Sequence, residues 1–518
     1  MAGAVIVAAA ALALRILHLY FTERMNPLAS SLQLDAATYD RWARALAAGG
    51  DPGPTTLMQA PLYPWLLAAL YRIFGPVPAA ARALQALLGT ATVALVMYAA
   101  RRFFSPAAAI VAGALAALYA PFVFFEGLIL PATIIVFLNA LAIALFAGDR
   151  RTGAARTLAG GIALGAAIAA NPPNVLLLPF VLLHLGLAPG GDGSGGPESG
   201  SANAYGRTTH AAPRRIGLLP CALLALAGVA IVLAPVAIRN YLRAGEFIPL
   251  TTGGGVNFYI GNNPGANGYY AAPTYEGRPL GLTPEEQWRR MTDIAQGETG
   301  HVLGESEVSR FWLGAGLRWA RAHPLQWAAL SWQKFIFFWN RYERANVENF
   351  YFHRRFPGVL RLPLLGFGLV APLALLGAFL ARGRSHRLWL LYGGAIVYLA
   401  TAVVFYVTAR YRLPSLPFLL PLAAAAVVEL IGVARRRRFA ELALLGAALA
   451  VLAFLSNVTV ARDTPQGISA NLVRVGDAHR ARRDTARAGA AYLEALALDP
   501  ESVRAKERLL RVTPRGTE

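Results

Sequence analysis

Apolar stretches of about 20 residues dominate this sequence and constrain its fold more than any other feature. A helix needs about 20 mostly apolar residues to cross the hydrocarbon core of a bilayer. Stretches that meet or approach this length lie at 2–22, 82–100, 105–125, 127–147, 157–170, 173–188, 216–238, 361–381, 387–408, 413–433 and 439–461. Only 15% of the residues are charged, whereas soluble domains carry about a quarter. The sequence therefore predicts an all-α polytopic membrane protein with about 11 transmembrane helices.

The arginines between these stretches predict the orientation, because cytoplasmic loops of membrane proteins are enriched in Lys and Arg. Alternate loops carry Arg101–Arg102, Arg150–Arg151 with Arg156, Arg207 with Arg214–Arg215, Arg382 with Arg384 and Arg387, and Arg435–Arg438. The short loops near 120–126 and 171–174 carry no cation. We therefore expect a cytoplasmic N-terminus and an extracytoplasmic tail. Residues 1–22 are interpreted as an uncleaved span, since Arg15 interrupts the apolar run and no basic segment precedes it.

This topology divides the chain into a transmembrane domain and an outer tail. The transmembrane domain covers residues 1–461 and the tail covers 462–518. Within the domain, the outer loops are 23–81 and 239–360, and the flexible inner linker is 189–215. The Trp- and Phe-rich run 325–339 could be a further span. We interpret it as an interfacial helix, because a span there would place Arg435–Arg438 outside the cytoplasm.

Several functional classes are excluded by residue usage. Lys334 and Lys506 are the only lysines, and neither follows a glycine as the lysine of a phosphate-binding P-loop does. Cys221 is the only cysteine, which excludes disulfide scaffolds and thiolate zinc sites. The eight histidines are scattered without helical pairing. We predict neither a metal ion nor a nucleic-acid partner, and residue usage identifies no other cofactor.

The first outer loop is predicted to form two surface helices. Residues 35–48 repeat apolar side chains at helical spacing and end at Gly49–Gly50, and a second helix begins near Pro61. Asp35 would then stand at the start of a surface helix beside the outer end of the first span.

The tail has the spacing of a 34-residue tetratricopeptide (TPR) repeat. Counted from Ser469, the large, small and proline positions of that pattern fall on Leu472, Val475, Gly476, His479, Ala488, Tyr492, Ala495 and Pro500. One repeat cannot bury its own apolar face. We therefore expect the tail to pack on residues 503–512, on the membrane domain or on a protein partner.

Several motifs resemble those of bacterial glycosyltransferase family 39, a group of the GT-C superfamily. They are Arg15-Ile-Leu-His-Leu, Leu34-Asp-Ala-Ala-Thr-Tyr-Asp-Arg-Trp-Ala, Ala60-Pro-Leu-Tyr-Pro, Arg239-Asn-Tyr, Gly255-Val-Asn-Phe-Tyr-Ile-Gly-Asn-Asn-Pro and Arg410-Tyr-Arg-Leu-Pro. The group includes relatives of protein O-mannosyltransferases and of the lipid A aminoarabinose transferase, and the similarity covers most of residues 1–435. It implies a multi-span fold in the bacterial plasma membrane and a polyprenyl-phosphate-linked sugar as the donor substrate at the outer face.

Two positions depart from the patterns of this group. Its mannosyltransferases tend to carry an Asp-Glu pair in the first loop, where this chain has Asp35-Ala36. Its aminoarabinose transferases favour a lysine where this chain has Gln59, which argues against that sugar. The sequence alone leaves the sugar open, and the acceptor is a protein, a lipid or a glycan.

Two carboxylates are candidates for the chemistry. Displacement of a lipid phosphate from an anomeric carbon needs a carboxylate that orients or deprotonates the acceptor hydroxyl. Asp35 is the predicted base, although an Asp at a helix start could equally be an N-cap. Glu126, between apolar neighbours at a membrane edge, is predicted to be a second acid that positions the acceptor. Its alternative is a boundary residue whose charge reaches the interface.

Cations and polar side chains complete the predicted site. Arg410 and Arg412, at the outer end of a span, are predicted to hold the donor phosphate, with membrane anchoring as the alternative. Arg239 is a further candidate of the same kind. The predicted substrate-lining residues are Tyr39, Gln59, Tyr63, Asn240, Asn257, Tyr259, Asn262 and Asn263. The predicted lining residues that follow Thr251 in the sequence could instead form Gly/Asn turns.

Two other functions are alternatives to glycosyl transfer. A lipid-linked glycan transporter or flippase would need charges at the middle of the membrane and internally repeated halves, whereas the candidate charges cluster at one face. A membrane-anchored scaffold that presents the TPR-like tail would not need the outer Asp, Glu and Arg residues. The predicted partners are therefore the bilayer, the lipid-linked donor, the acceptor and a protein that binds the tail.

Overall fold

The computed structural model describes residues 2–513 except 52, 54–56, 148–152, 188–216, 272 and 282. The first helices are α1 (Ala2–Met25), α2 (Asp35–Ala47), α3 (Leu62–Phe74), α4 (Pro78–Phe103), α5 (Pro106–Ala117), α6 (Ala120–Glu126), α7 (Ala132–Phe146), α8 (Ala154–Ala170), α9 (Leu178–Leu187) and α10 (Leu218–Ala244). Then follow α11 (Gly254–Gly261), β1 (Thr274–Tyr275), β2 (Arg278–Pro279), α12 (Pro284–Thr299), α13 (Glu305–Ala322), α14 (Pro324–Trp339), α15 (Phe350–His353), α16 (Phe367–Leu380), α17 (Ser385–Val404), α18 (Ala409–Arg412), α19 (Leu416–Arg435), α20 (Phe439–Asn457), α21 (Pro465–Ala481), α22 (Thr485–Leu498) and α23 (Val503–Leu510).

Part of the predicted topology lies outside the described residues. This applies to the linker 189–215 and to Arg150, Arg151, Arg207, Arg214 and Arg215. The side chains of Arg384 and Arg387 are also not described.

The described chain is almost entirely helical, which confirms the predicted all-α membrane architecture. Its helices that are both long and apolar enough to cross a bilayer are α1, α4, α10, α20 and the segment Ala409–Arg435. Shorter apolar helices occupy the other predicted stretches, so the count of 11 spans stays a prediction. The interfacial position of 325–339, which forms α14, also stays a prediction.

Two predicted spans are interrupted helices. The stretch 105–125 divides into α5 and α6, and Pro121 lies in the first turn of α6. The stretch 173–188 begins as the 3₁₀ segment Pro172–Leu177 before α9 starts. Although α10, α16 and α19 each contain an internal proline, proline lacks a backbone N–H and is favoured in the first turn of a helix. The helical segments that start near Pro121 and Pro172 follow this preference.

Small residues bring α8 and α10 into direct backbone contact. A Cβ atom on Gly161 would lie 2.2 Å from the Ala225 carbonyl oxygen, and one on Gly228 would lie 2.5 Å from the Leu158 carbonyl oxygen. Close approach through small residues is typical of membrane helix pairs, which gain no hydrophobic driving force from lipid.

One end of the bundle is closed by arginines on helix carbonyls. Arg156 donates to the carbonyl oxygens of Ala144 and Leu145, and Arg102 donates to that of Ala147. Cations at helix C-termini satisfy orphan carbonyls and favour the helix dipole. These arginines are the ones that the sequence assigned to cytoplasmic loops.

The opposite end gathers the predicted outer segments. Asn340, after α14, donates to the Val458 carbonyl at 2.8 Å, and Asn457 donates to the Gly368 carbonyl at 2.9 Å. The Leu365 amide donates to the Leu118 carbonyl at 2.9 Å. The ends of α5, α14 and α20 and the start of α16 therefore meet at one face.

The tail forms the helices that its repeat spacing predicts, and it packs on the chain itself. The small position Gly476 lies against the Tyr492 ring, where a Cβ would come within 2.3 Å. Leu28 and Phe352 of the outer loops join the same apolar cluster as the tail. The face that one repeat leaves open is therefore covered within the molecule. A TPR identity and a protein partner for the tail stay predictions.

Candidate active site at the predicted outer end of the bundle

Asp35 is the first residue of α2 and does not cap it. The N-cap position belongs to Leu34, whose side chain forms no capping bond and whose φ of 52° lies in the left-handed region. Such a backbone costs a non-glycine residue about 1–3 kcal/mol and is found preferentially at functional sites. The N-cap interpretation of Asp35 is therefore wrong, because its carboxylate is directed to another part of the chain.

The Asp35 carboxylate is directed to Arg410. Arg410 Nη1 donates to Asp35 Oδ2 at 2.6 Å, and the two side chains are 10% and 15% exposed. The short helix α18 presents Arg410 because Thr408 caps it, accepting from the Tyr411 amide at 3.2 Å. The Ala409 amide is tied to the Arg344 carbonyl at 2.9 Å. Two residues 375 positions apart thus form one charge pair.

Tyrosines surround this pair. Arg410 Nη2 donates to the Tyr411 hydroxyl at 2.8 Å, while the guanidinium carbon lies 4.8 Å from the centre of the same ring. Tyr406 packs on Tyr411 and Tyr270, and its hydroxyl donates to Asn257 Oδ1 at 2.7 Å. Among the described atoms, Arg410 Nε is buried without a hydrogen-bond partner. The cluster therefore combines a carboxylate, an unsatisfied donor and aromatic faces.

Tyr39 lies one helical turn after Asp35 on the same face of α2. Burial raises the pKa of Tyr39, and the charge of Asp35 raises it further, against the opposing effect of Arg410. The phenol is therefore neutral near pH 7. A neutral phenol can donate a hydrogen bond without adding negative charge to the site.

Arg239 and Gln59 line a small cavity at the other end of the same helix face. Trp42 and Trp65 are among its other walls, with Arg239 5.9 Å from the Trp65 ring centre. Gln59 Oε1 is buried without a hydrogen-bond partner within the described chain. Asp35 and Trp42 are seven residues apart, about 10 Å along a helix. The helix α2 thus connects a carboxylate site to a site that contains a cation.

Arg412 does not share the environment of Arg410. It is 2% exposed, pairs with Glu343 at 2.7 Å, and donates to the backbone carbonyls of Phe338 and Asn340. A guanidinium that is buried and bonded to protein acceptors has no free edge for a phosphate. The geometry does not support the predicted donor-binding role of Arg412.

Glu126 also has a partner inside the protein. It pairs with Arg15 at 2.9 Å, and the two side chains are 5% and 0% exposed. The contact exists because Gly89 leaves room, since a Cβ there would lie 2.0 Å from Glu126 Oε1. This burial favours a role in joining α1 to α6. The acceptor-positioning role of Glu126 stays a prediction.

The remaining predicted substrate residues satisfy their polar groups locally. Tyr63 donates to Gln85 at 2.8 Å, and Asn240 donates to the Ile248 and Leu250 carbonyls. Tyr259 donates to the Thr274 carbonyl, and Asn262 and Asn263, just after α11, donate to carbonyls of that helix. The structure therefore brings Tyr39 and Asn257 to the Asp35 cluster and places these five residues in structural bonds.

Sequence reasoning missed Tyr406, Tyr270 and the acid Glu285. Glu285 at the start of α12 accepts from Thr38 Oγ1 at 3.2 Å and pairs with Arg41, which fastens the large outer loop to α2. No local pattern marks these residues, since each acquires its place through distant contacts. Within the described residues, no group of three His, Cys, Asp or Glu side chains could hold a metal ion.

A comparison with protein families matches one segment of the chain. Residues 58–191 match the family model described as dolichyl-phosphate-mannose-protein mannosyltransferase, which confirms the resemblance for that segment. Asp35 and Arg410 lie outside it. No curated protein sequence matches the chain.

The chain also aligns with solved structures, at low sequence identity and with TM-scores below 0.5. The Archaeoglobus fulgidus oligosaccharyltransferase tethered to an acceptor peptide is 14% identical over 94% of this chain, with a TM-score of 0.47. ArnT from Cupriavidus metallidurans bound to undecaprenyl phosphate is 16% identical over 98% of this chain and 77% of its own, with a TM-score of 0.42. This chain spans 58% of the length of the archaeal enzyme.

Proposed function

We propose that this chain is a membrane glycosyltransferase that moves a sugar from a polyprenyl-phosphate-linked donor to an acceptor hydroxyl at the extracytoplasmic face. The observation that carries the proposal is the Asp35 carboxylate, fixed by Arg410 inside a ring of tyrosines at the outer end of the bundle. The match of residues 58–191 to a mannosyltransferase family that uses a lipid-phosphate donor supports the same reaction class.

Asp35 acts as the base in this proposal. Arg410 occupies Oδ2, which leaves Oδ1 to accept a hydrogen bond from the acceptor hydroxyl. The hydroxyl oxygen attacks the anomeric carbon while the bond from that carbon to the phosphate oxygen breaks. The lipid phosphate leaves with the bonding electron pair, and the hydroxyl proton passes to Asp35. A positioned base of this kind contributes about a hundredfold to ten-thousandfold in rate.

Arg239 and Gln59 hold the donor phosphate in this scheme. Arg239 supplies the positive charge, and its place beside Trp65 leaves an apolar wall for the lipid chain. The shared face of α2 keeps phosphate and base about two helical turns apart, roughly 10 Å. A sugar bridges that separation, with its ring on the tyrosines and an oxygen bonded to Arg410 Nε.

The test compares Asp35→Asn with Asp40→Asn on the same helix. Asp40 accepts from Arg44 at 2.7 Å and from Tyr71 at 2.6 Å, so it anchors α2 to α3 without touching Arg410. Both variants remove one carboxylate charge and keep the side-chain size. We expect Asp35→Asn to insert and fold normally and to lose product by about a hundredfold or more. Asp40→Asn should retain most of its activity.

The readout is mass spectrometry of envelope glycans and glycoproteins from cells that express each variant or lack the chain. A glycan that depends on the wild-type chain and disappears with Asp35→Asn supports the proposal. Wild-type levels of that glycan in Asp35→Asn cells would exclude Asp35 as the base. The absence of any glycan difference between wild-type and deletion cells would contradict glycosyl transfer itself.

A further inference from the structure

A cleft opens at the predicted outer end of the bundle, separate from the Asp35 cluster. It has a volume of about 520 Å³ and lies between the end of α14, the end of α20 and the segment that leads into α16. We call it the arginine cleft, because Arg341, Arg354 and Arg462 are its basic lining residues.

The carboxylates of this cleft are already engaged by other groups. Glu343 pairs with Arg412 at 2.7 Å. Asp463 accepts from the Tyr342 hydroxyl at 2.5 Å and from Asn349 at 2.7 Å. Arg412 therefore balances the charge of Glu343, whereas Asp463 keeps its charge and offsets one of the three arginines, so the cleft retains a net positive charge.

The arginine side chains themselves have no such partners. Within the part of the chain that the structure describes, none of the three forms an ion pair, a side-chain hydrogen bond or a stacking contact with a ring. Each is exposed at the cleft. Three like charges around one cavity repel each other unless an anion enters it. They also lie in predicted outer segments, where the general trend disfavours arginine.

One wall of the cleft is apolar and reaches the membrane helices. Leu362 and Leu369 line it and are 46% and 44% exposed. The same wall leads into α16, and the opposite wall ends on α20, a helix apolar enough to span a bilayer. A ligand with a charged head and an apolar tail matches this combination better than a free ion does.

We propose that the arginine cleft binds the phosphate of an anionic lipid in the outer leaflet. The guanidinium groups form charge-assisted, fork-shaped hydrogen bonds to phosphate oxygens, and the first part of the acyl chain lies on Leu362 and Leu369. Basic pockets between membrane helices bind lipid head groups in this manner. The site is distinct from the donor site at Arg239, and its occupancy does not depend on sugar transfer.

The test measures binding of phosphatidylglycerol to the full-length protein in detergent by native mass spectrometry. The cleft variant replaces Arg341, Arg354 and Arg462 with Ala. The control replaces Arg278, Arg289 and Arg321 with Ala, which removes the same charge from exposed positions of the large outer loop. We expect at least tenfold weaker lipid binding for the cleft variant and a change within twofold for the control.

Inorganic phosphate in the same titration distinguishes a lipid from a free anion. Failure of millimolar phosphate to displace phosphatidylglycerol supports the proposal. Unchanged lipid affinity in the cleft variant would overturn it, as would an equal loss in the control variant. Phosphate binding through the three arginines without any lipid binding would overturn it as well. Arg462→Ala alone, in the segment after α20, provides the same comparison if the triple variant folds poorly.

Discussion

Two regions on either side of the segment 408–415 use the same residue types in opposite ways. On one side Arg410 pairs with Asp35, and its Nε remains without a partner among the described atoms. On the other side Arg412 and Glu343 are 2% and 4% exposed, and backbone carbonyls take the remaining donors of Arg412. An arginine at a membrane edge can therefore bind a ligand only where the protein leaves one of its edges unsatisfied.

The region around the Arg412–Glu343 pair is expected to matter for stability, and the region around the Arg410–Asp35 pair is expected to matter for activity. Removal of one partner from a buried ion pair leaves an uncompensated charge and costs about 3–5 kcal/mol. Arg410 is also bonded internally, to Asp35 and Tyr411, but both members of its ion pair keep 10–15% of their side-chain surface exposed, so we expect its removal to cost less stability than removal of Arg412. Four substitutions test this difference.

Arg412→Ala should have the largest effect. It leaves Glu343 buried without its cation, and we expect a loss of about 3–5 kcal/mol in the free energy of unfolding. Denaturation of the purified protein in detergent, followed by tryptophan fluorescence, measures the change. Arg436→Ala, which breaks a mostly exposed pair with Glu429, serves as the control and should cost little. If the Arg412→Ala protein is stable but no longer uses the donor, the result would support the predicted role of Arg412 in binding the donor phosphate.

Arg410→Ala should mainly reduce the rate of transfer. It removes a charge-assisted hydrogen bond of about 1.5–3 kcal/mol from Asp35, which corresponds to roughly a 10- to 150-fold lower rate. Arg410→Lys keeps the charge but loses the fork that bonds Asp35 and Tyr411 together, so we expect partial rescue. The amount of product per folded molecule is the measurement. Full activity of Arg410→Ala would show that Asp35 is positioned by other groups.

Glu348 offers a third buried carboxylate, in the contact between the tail and the outer loop. Burial raises its pKa, but Arg474 and His353 lower it more, to about 2. A folded-state pKa below the ordinary 4.5 means that the ionised group stabilises the docked tail above about pH 4.5. This stabilisation is lost as the pH falls from 4.5 towards 2.

After correction for the rate at which pepsin cuts an unfolded substrate at each pH, we expect faster release of the tail at pH 2.5 than at pH 4.5. Glu348→Gln should release the tail quickly at both pH values, since its side chain cannot ionise. Glu494→Gln, which alters a half-exposed pair with Arg355, should behave as the wild type does. If pepsin releases the tail equally fast from wild type and from Glu348→Gln at pH 4.5, the Glu348 carboxylate does not hold the tail on the outer loop.

The local features of this molecule follow from its sequence, and the partners of its charges do not. Apolar stretches and Gly-Gly or proline boundaries predict most helices, and the start of α2 at Asp35 follows from the same signals. The pairing of Asp35 with Arg410 joins residues 375 positions apart. No periodicity encodes such a contact.

Arg410 and Arg412 show this limit most clearly. Both flank Tyr411 and both precede Pro414, so the sequence gives them one role. The backbone of α18 turns one towards α2 and the other towards the end of α14. Their different environments follow from tertiary packing alone. The same holds for the asparagines of α11, since Gly255 and Gly261 let that helix approach Ser309 and Phe405 closely.

Tyr406→Phe should have the smallest effect and separates the ring from the hydroxyl. The ring stays in contact with Tyr411 and Tyr270, while the bond to Asn257 is lost. One net hydrogen bond is worth about 0.5–1.5 kcal/mol, so the rate should fall roughly two- to tenfold. Tyr63→Phe keeps the ring contact with Tyr39 and removes the comparable bond to Gln85, which lies outside the cluster, and we expect no change in the rate. A larger loss in Tyr63→Phe than in Tyr406→Phe would move the substrate site towards α3 and return Tyr63 to the lining that the sequence predicts.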